Sequence, residues 1–296
     1  MCIRDRPRGG VFKHCNIIVK PSDPIADAGF VIMEPEDNPP MSGSNSICVS
    51  TVLLEKNFLK MNYPLTQLSL EAPGGIIKVV AECEDNKVKN VSISNLPSFI
   101  DKLEVELKTK NYGKIIVSTA YGGDSFLLCN AQDFNLKIVP DNAKSFVDIA
   151  RELLKEANDQ IGFQHPVQKD WNKISFCQFT NPVEIVNGVL NGRNTVVINP
   201  GKLDRSPCGT GCSARMALLH AKGEMSGGDQ FVASSVIDSR FYCSILECTK
   251  TGKVKSIIPS ISGRGWITGT HQLMCDPDDP WPDGYRLSDT WPNPDR

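Results

Sequence analysis

The chain has 296 residues, 40% hydrophobic and 22% charged, with 32 Lys and Arg against 34 Asp and Glu and a net charge of −2. That balance argues against a nucleic-acid partner, which calls for a basic face, and no run of 18 apolar residues is present to cross a membrane as a helix. The opening MCIRDRPRGGVF carries no apolar core of the kind a secretory leader needs, and the length suits two domains of ordinary size.

Short β-branched runs dominate the first half. NIIVK (16–20), FVIME (30–34), IIKVVAEC (76–83), VKNVSISNL (88–96), LEVELKT (103–109) and KIIVSTA (114–120) read as strands separated by Gly, Pro, Asn or Asp. One helix, from about Asn45 to Lys60, interrupts them. A second helix is predicted over 140–159, where Phe146, Ile149, Ala150, Leu153 and Leu154 form an apolar stripe. Strands return at KISFCQF (173–179) and NTVVINP (194–200), and a third helix runs from about Thr210 to Lys222. FVASSVI, RFYCSILEC, KVKSIIP and GWITGTHQ are predicted as closing strands, and the Pro- and Asp-rich tail 276–296 as a surface loop. The order strands, helix, strands therefore occurs twice around a connecting helix. Two similar α+β halves are expected, residues 1–130 and 131–280, facing each other across a cleft.

Eleven cysteines include no CxxC pair, and most lie in apolar runs where a thiol acts as a small hydrophobe. No zinc spacing accompanies them, so no metal is expected; reduced thiols in a cytoplasmic protein are the reading that remains. Cys48 and Cys212 are expected to be buried in helices.

Two stretches carry the chemistry. DRSPCGTGCSARMA (204–217) places Cys208, and PMSGSNSICVST (40–51) places Ser42, at the mouth of an apolar helix. Gly43, Ser44 and Asn45 follow the serine; Gly209, Thr210 and Gly211 follow the cysteine. Free N–H groups and the helix dipole at such an elbow attract an anion such as a carboxylate, and the same field is expected to lower the pKa of Cys208. Elbows on opposite walls of one cleft would clamp a carboxylate and flank the adjacent carbon, as a two-base proton transfer requires. Asp204 could receive a substrate ammonium. The same residues also fit a plain turn and helix caps, with Ser42 or Ser44 as the cap, and an Asp before a turn is commonly a capping residue.

The stretches DRSPCGTGCSARMA and PPMSGSNSICVST resemble the two acid–base motifs of the proline racemase family. YGGDSFLLCNA (121–131), SSVIDSRF (234–241) and SGRGWITGTH (262–271) match as well, so the resemblance extends from roughly residue 27 to 271. It implies an α/β (α+β) fold of two similar halves, each a mixed sheet wrapped around a central helix as in diaminopimelate epimerase, with the active site between them. It implies enzymes without cofactor or metal that act on proline or hydroxyproline, inverting Cα or eliminating water from the 3-hydroxy compound. Ser42 and Cys208 would then flank Cα, Gly43, Ser44, Gly209 and Thr210 would hold the carboxylate, and Asp204 the ring nitrogen. A small molecule is the expected partner, with a homodimer by analogy.

Position 42 is Ser where the family commonly has Cys, and position 44 is Ser where many members have His. An alcohol is far less acidic than a thiol, so Cys208 is the better base. Dehydratases of the family usually keep the first cysteine and replace the second with threonine; this chain does the reverse, which favours hydroxyproline 2-epimerisation, of 4-hydroxyproline and also of 3-hydroxyproline. A trans-3-hydroxy-L-proline dehydratase, a proline racemase and a non-catalytic amino-acid-binding relative remain as alternatives. His165 is read as a surface or capping residue, and His14, His220 and His271 as structural. Family members open with a strand region and a DxHTxGEP-like segment before PRG, whereas here MCIRDR runs straight into PRGGVF. The first half is therefore expected to be incomplete, with residues 280–296 available to complete it.

Overall fold

In β4 (Gly75–Glu84), Ile77, Val79, Ala81 and Cys83 turn inward while Lys78, Val80, Glu82 and Glu84 face solvent, the period of two that a half-buried strand imposes. The same rule builds most of the molecule, a computed structural model that describes residue 10 and residues 12–274, 276–282, 284 and 287. Before β4 come β1 (Cys15–Val19), β2 (Ala28–Met33), α1 (Gly43–Glu55) and β3 (Leu65–Ala72). After it come β5 (Lys87–Ser94), β6 (Ser98–Thr109), β7 (Gly113–Tyr121), β8 (Ser125–Asn130), α2 (Ala143–Gln160) and β9 (Phe176–Thr180). The chain continues through β10 (Glu184–Val186), β11 (Val189–Ile198), β12 (Lys202–Leu203), α3 (Gly209–Ala221), β13 (Gln230–Ser234), β14 (Arg240–Thr251) and β15 (Val254–Gly263).

One continuous sheet contains all fifteen strands. Its first part runs β1-β2-β3-β4-β5 and packs on α1, which buries Ile47, Val49, Leu53 and Leu54. Its second part runs β15-β14-β13-β11-β9-β8-β7-β6 and returns to β15, closing a ring of eight strands around α3. β15 belongs to both parts: Ser256 and Ile257 pair with β6, while Ser260 to Gly263 pair with β5. Opposite the junction, β14 carries an irregularity between Ile245 and Glu247.

Alternation also explains how two helices share the wall of the ring. Phe176 in β9 joins Phe126, Leu128, Val196 and Ala214 around α3. The intervening Cys177 and Phe179 join Phe146, Ile149, Ala150 and Leu153 of α2 on the other face. A third, larger cluster links α1 residues Ile47, Leu53 and Leu54 with α3 residues Cys212 and Met216, so both central helices stand on one core.

The three predicted helices are present, the first ending at Glu55 rather than Lys60. β3, β8 and the short β10 and β12 were not among the predicted strands. GWITGTHQ, predicted as a strand, forms no element: Gly265 lies against Cys48 of α1 and no neighbouring strand edge pairs with it. Cys48 is exposed, not buried as expected, whereas Cys212 is fully buried. All nine described cysteines are free thiols, and among the described residues no helix is long and apolar enough to cross a membrane. Most of 280–296 lies outside the described residues.

Phe146 is completely buried and its ring meets that of Phe179 at 4.8 Å between centroids. Phe146→Ala should cost about 3–5 kcal/mol of stability, read as a lower urea midpoint with an unchanged slope.

Candidate active site

Ser42 is the N-cap of α1, in an extended conformation at φ −146°, ψ 120°. Its Oγ accepts from the Asn45 side-chain Nδ2 at 2.9 Å and from the Asn45 backbone N–H at 3.5 Å, and lies 3.5 Å from Ser44 Oγ. Asn45 is in turn held by Asn16 of β1, whose Nδ2 donates to its Oδ1 at 3.1 Å. Two donors thus converge on the serine oxygen, the arrangement that stabilises negative charge there.

Cys208 occupies the equivalent place on α3, but at φ 63°, ψ 108°, a left-handed φ that a side-chain-bearing residue adopts at a cost. Its Sγ accepts from the Gly211 N–H at 3.4 Å and lies 3.5 Å from Thr210 Oγ1. The approach is a chain of short turns: Asp204 takes the Ser206 N–H and Oγ–H at 2.9 and 3.0 Å, and Ser206 Oγ takes the Cys208 N–H at 3.0 Å. The helix mouth does not lower the thiol pKa as the sequence suggested. Burial pushes Cys208 well above its ordinary value and the Asp204 carboxylate adds to the rise; the bonds from Thr210 and Gly211 oppose it without prevailing.

The two elbows touch. A Cβ built on Gly43 would sit 2.8 Å from Gly209 Cα, and one on Gly209 would sit 2.7 Å from Gly43 Cα. Ser42, Gly43 and Ser44 are therefore brought together with Cys208, Gly209 and Thr210, and Asp204 is tied to the group through Ser206. Two helix N-termini, each with a partial positive charge, point at one place.

A third segment, for which the sequence offered no role, wedges between them. In the Tyr121–Ser125 turn, a Cβ on Gly122 would meet Thr210 O at 2.1 Å, and one on Gly123 would meet Thr210 Cγ2 at 3.0 Å and Met41 Cβ at 3.2 Å. Asn95 fixes this turn by donating to Gly122 O at 2.8 Å and to Ser213 Oγ at 2.7 Å. The next residue, Asp124, is buried with Oδ2 lacking a hydrogen-bond partner, and burial raises its carboxyl to about 7. Consecutive glycines followed by an acid were the available sequence signal.

Beside Asp204 is a cavity of about 390 Å³ lined by Phe12, His14, Ile198, Lys202, Leu203 and Arg205. His14 Nδ1 lies 3.3 Å from buried Glu34 Oε1, and Lys202 Nζ contacts His14 Nε2. Burial holds the Lys202 ammonium below its usual range and raises Asp204 above its own. A larger cavity, about 500 Å³, borders Arg215, Leu218 and Lys222 and contains no elbow residue. His165 is a capping residue as expected but buried, its Nδ1 accepting from the Val167 and Gln168 N–H groups at 3.2 and 2.9 Å. Among the described residues, no three His, Cys, Asp or Glu side chains gather in a way that could hold a metal ion.

A family model described as proline racemase matches residues 1–286. The chain is similar to the crystal structure of a probable proline racemase from Agrobacterium radiobacter K84 with bound carbonate. That match is 35% identical with a TM-score of 0.91, covering 98% of this chain and 84% of that one. It is also similar to a hydroxyproline epimerase from Agrobacterium vitis with bound trans-4-hydroxy-L-proline, at 36% identity and a TM-score of 0.92, covering 98% and 82%. A PhzF-family phenazine biosynthesis protein from Bacillus anthracis, 12% identical with a TM-score of 0.55, covers 86% and 82% and shares the fold.

Gly209→Ala should force the two helix mouths apart, destabilising the protein by about 1–3 kcal/mol and lowering activity far more than folded content. Circular dichroism melting alongside turnover checks this. Asp124 gives a pH signature. Its folded carboxyl titrates near 7 against about 4 unfolded, so its contribution is present below pH 4 and lost as pH rises from 4 to 7. Asp124→Asn should flatten the fall in urea midpoint over that window; an unchanged profile would assign the pH dependence to other groups.

Proposed function

The chain belongs to the proline racemase family, and from that premise we propose that it is a cofactor-independent hydroxyproline 2-epimerase. Its class is that of an amino-acid racemase or epimerase, an isomerase. The finer reading is inversion at Cα of 4-hydroxyproline, and of 3-hydroxyproline, by two-base proton transfer. The observation that carries it is the contact of Gly43 with Gly209, which places a protic side chain at each of two abutting helix mouths. The Agrobacterium vitis epimerase with its bound trans-4-hydroxy-L-proline supports the substrate.

In this reading the substrate carboxylate sits where the free N–H groups of Gly43, Ser44, Gly209 and Thr210 converge, and the ring ammonium rests on Asp204. The ammonium does more than anchor. Asp204 is one of the groups that raise the Cys208 thiol, and a cation paired with it cancels that contribution. Substrate binding thus offsets the Asp204 part of that rise, while burial, its larger cause, remains. Cys208 removes the Cα proton from one face, and Ser42 delivers a proton to the other. Negative charge develops on the Ser42 oxygen as it gives up that proton and is stabilised there by the Asn45 side-chain and backbone donors; in the reverse direction the resulting alkoxide is the base and the Cys208 thiol the proton donor.

A probable proline racemase is as similar as the hydroxyproline epimerase, which keeps proline racemisation as a second reading. Comparison of proline with trans-4-hydroxy-L-proline in deuterated solvent, with Cα wash-in followed by NMR, separates the two, and a cyclic imine product from trans-3-hydroxy-L-proline would instead identify a dehydratase. Cys208→Ser should abolish turnover without unfolding the chain; full activity would sink the assignment. Ser42→Ala should stop epimerisation both ways yet leave one enantiomer exchanging its Cα proton, and wild-type epimerisation would return Ser42 to a capping role. Asp204→Asn removes a charge-assisted bond worth roughly 1.5–3 kcal/mol, so substrate affinity should drop by about one to two decades.

A further inference from the structure

Cys208 holds φ 63° although it carries a side chain, and such a conformation persists only where its surroundings over-determine it. The Pro207–Cys208 peptide unit is gripped at both ends. Its N–H is taken by Ser206 Oγ at 3.0 Å, and its carbonyl accepts from Asn194 Nδ2 at 3.0 Å and from the Cys212 thiol at 3.3 Å. Beyond Cys208, its own carbonyl is locked into the first turn of α3 by the Cys212 N–H at 2.8 Å. With the units on either side fixed, the torsion between them has no freedom.

Asn194 is fully buried in β11, and its amide can face Pro207 only if its oxygen is engaged elsewhere. Arg215 engages it: Nη1 donates to Asn194 Oδ1 at 2.5 Å and to Arg193 O at 2.9 Å, and Nη2 contacts Asn181 O. This guanidinium is 3% exposed, lies against Gly192 and over the Phe231 ring, and has no carboxylate partner among the described residues. A buried cation without an anion is unfavourable, yet this one is committed to three oxygen acceptors, one of which is the Asn194 amide.

We propose that Asn194 and Arg215 are positioning residues for Cys208: Arg215 sets the orientation of the Asn194 amide, and Asn194 holds the elbow in the conformation that presents the thiol to the substrate. The link to turnover rests on the proposed role of Cys208; the link to elbow conformation does not. Asn194→Asp is the sharper variant, because a carboxylate still pairs with Arg215 but can no longer donate to Pro207 O. Two measurements are made on it. In turnover, kcat should fall roughly 30–100-fold, the scale of a misplaced reacting group, with KM little changed. In alkylation by iodoacetamide with peptide mass mapping, Cys208 should react several-fold faster than in the wild type relative to exposed Cys48, as the freed elbow relaxes outward. The core thiols Cys129 and Cys177 should stay protected. Unchanged Cys208 labelling, or labelling that rises equally at Cys129 and Cys177, overturns the proposal, because the first denies the brace and the second shows general loosening. If the wild type turns over no hydroxyproline, the function proposed above fails and the labelling ratio alone decides this one. Should Asn194→Asp not fold, the same labelling on Arg215→Lys, which keeps the charge but loses the fork, decides in its place.

Discussion

Two helix N-termini in backbone contact are the constraint around which this molecule is organised. Each carries about half a positive charge and unpaired N–H groups, so bringing them together is unfavourable until an anion is shared between them. Nothing local to either helix would hold them there. The closed ring around α3, the open sheet on α1 and the common core of Ile47, Leu54, Cys212 and Met216 do so. The contact tolerates no side chain on either partner, which is why a glycine follows both Ser42 and Cys208. The Tyr121–Ser125 turn, driven against Thr210 and Met41, keeps the two mouths in register from a third direction.

The two faces of this site are chemically unequal, and the surroundings reduce the inequality. Ser42 is half-exposed and its oxygen receives two donors from Asn45, an environment that eases charge on a poor acid. Cys208, intrinsically the better acid, is 8% exposed with a carboxylate nearby, and both influences hold its proton in place. The environments thus bring two groups of very different intrinsic acidity closer together. In the proposed two-base reading a catalyst that must run in both directions benefits, since proton transfer is most efficient when neither partner holds the proton much more tightly.

Much of this was legible in the sequence because the code for it is local. Short β-branched runs between breaker residues marked β4, β5 and β7, the stripe from Phe146 to Leu154 marked α2, and small residues after Ser42 and Cys208 marked both helix mouths. β3 escaped because Thr66 is its one β-branched residue, although Leu68, Leu70 and Ala72 alternate with Gln67, Ser69 and Glu71. β8 escaped because both of its faces are covered, by α2 and α3, leaving a continuous apolar run with no period. GWITGTHQ has strand composition, but a strand also needs a partner, which composition does not supply. The direction of the Cys208 shift was equally out of reach. A dipole can be inferred from a helix start, whereas burial and the proximity of Asp204 exist only once the chain has folded.

The strand common to both parts of the sheet has a mechanical meaning. β15 is held by β6 at Ser256 and Ile257 and by β5 from Ser260 onward, so Ile258 and Pro259 are the two residues between its anchorages. They face the stretch of β14 where the ladder slips past Leu246. On this side the two parts of the sheet meet across two residues, at a spot where the β14 ladder is already irregular. Asn95 rests its backbone N–H on Pro259 O, and its side chain grips Gly122 and Ser213. The turn between the helix mouths is thereby tied, through this one side chain and its backbone, to the strand common to both parts of the sheet.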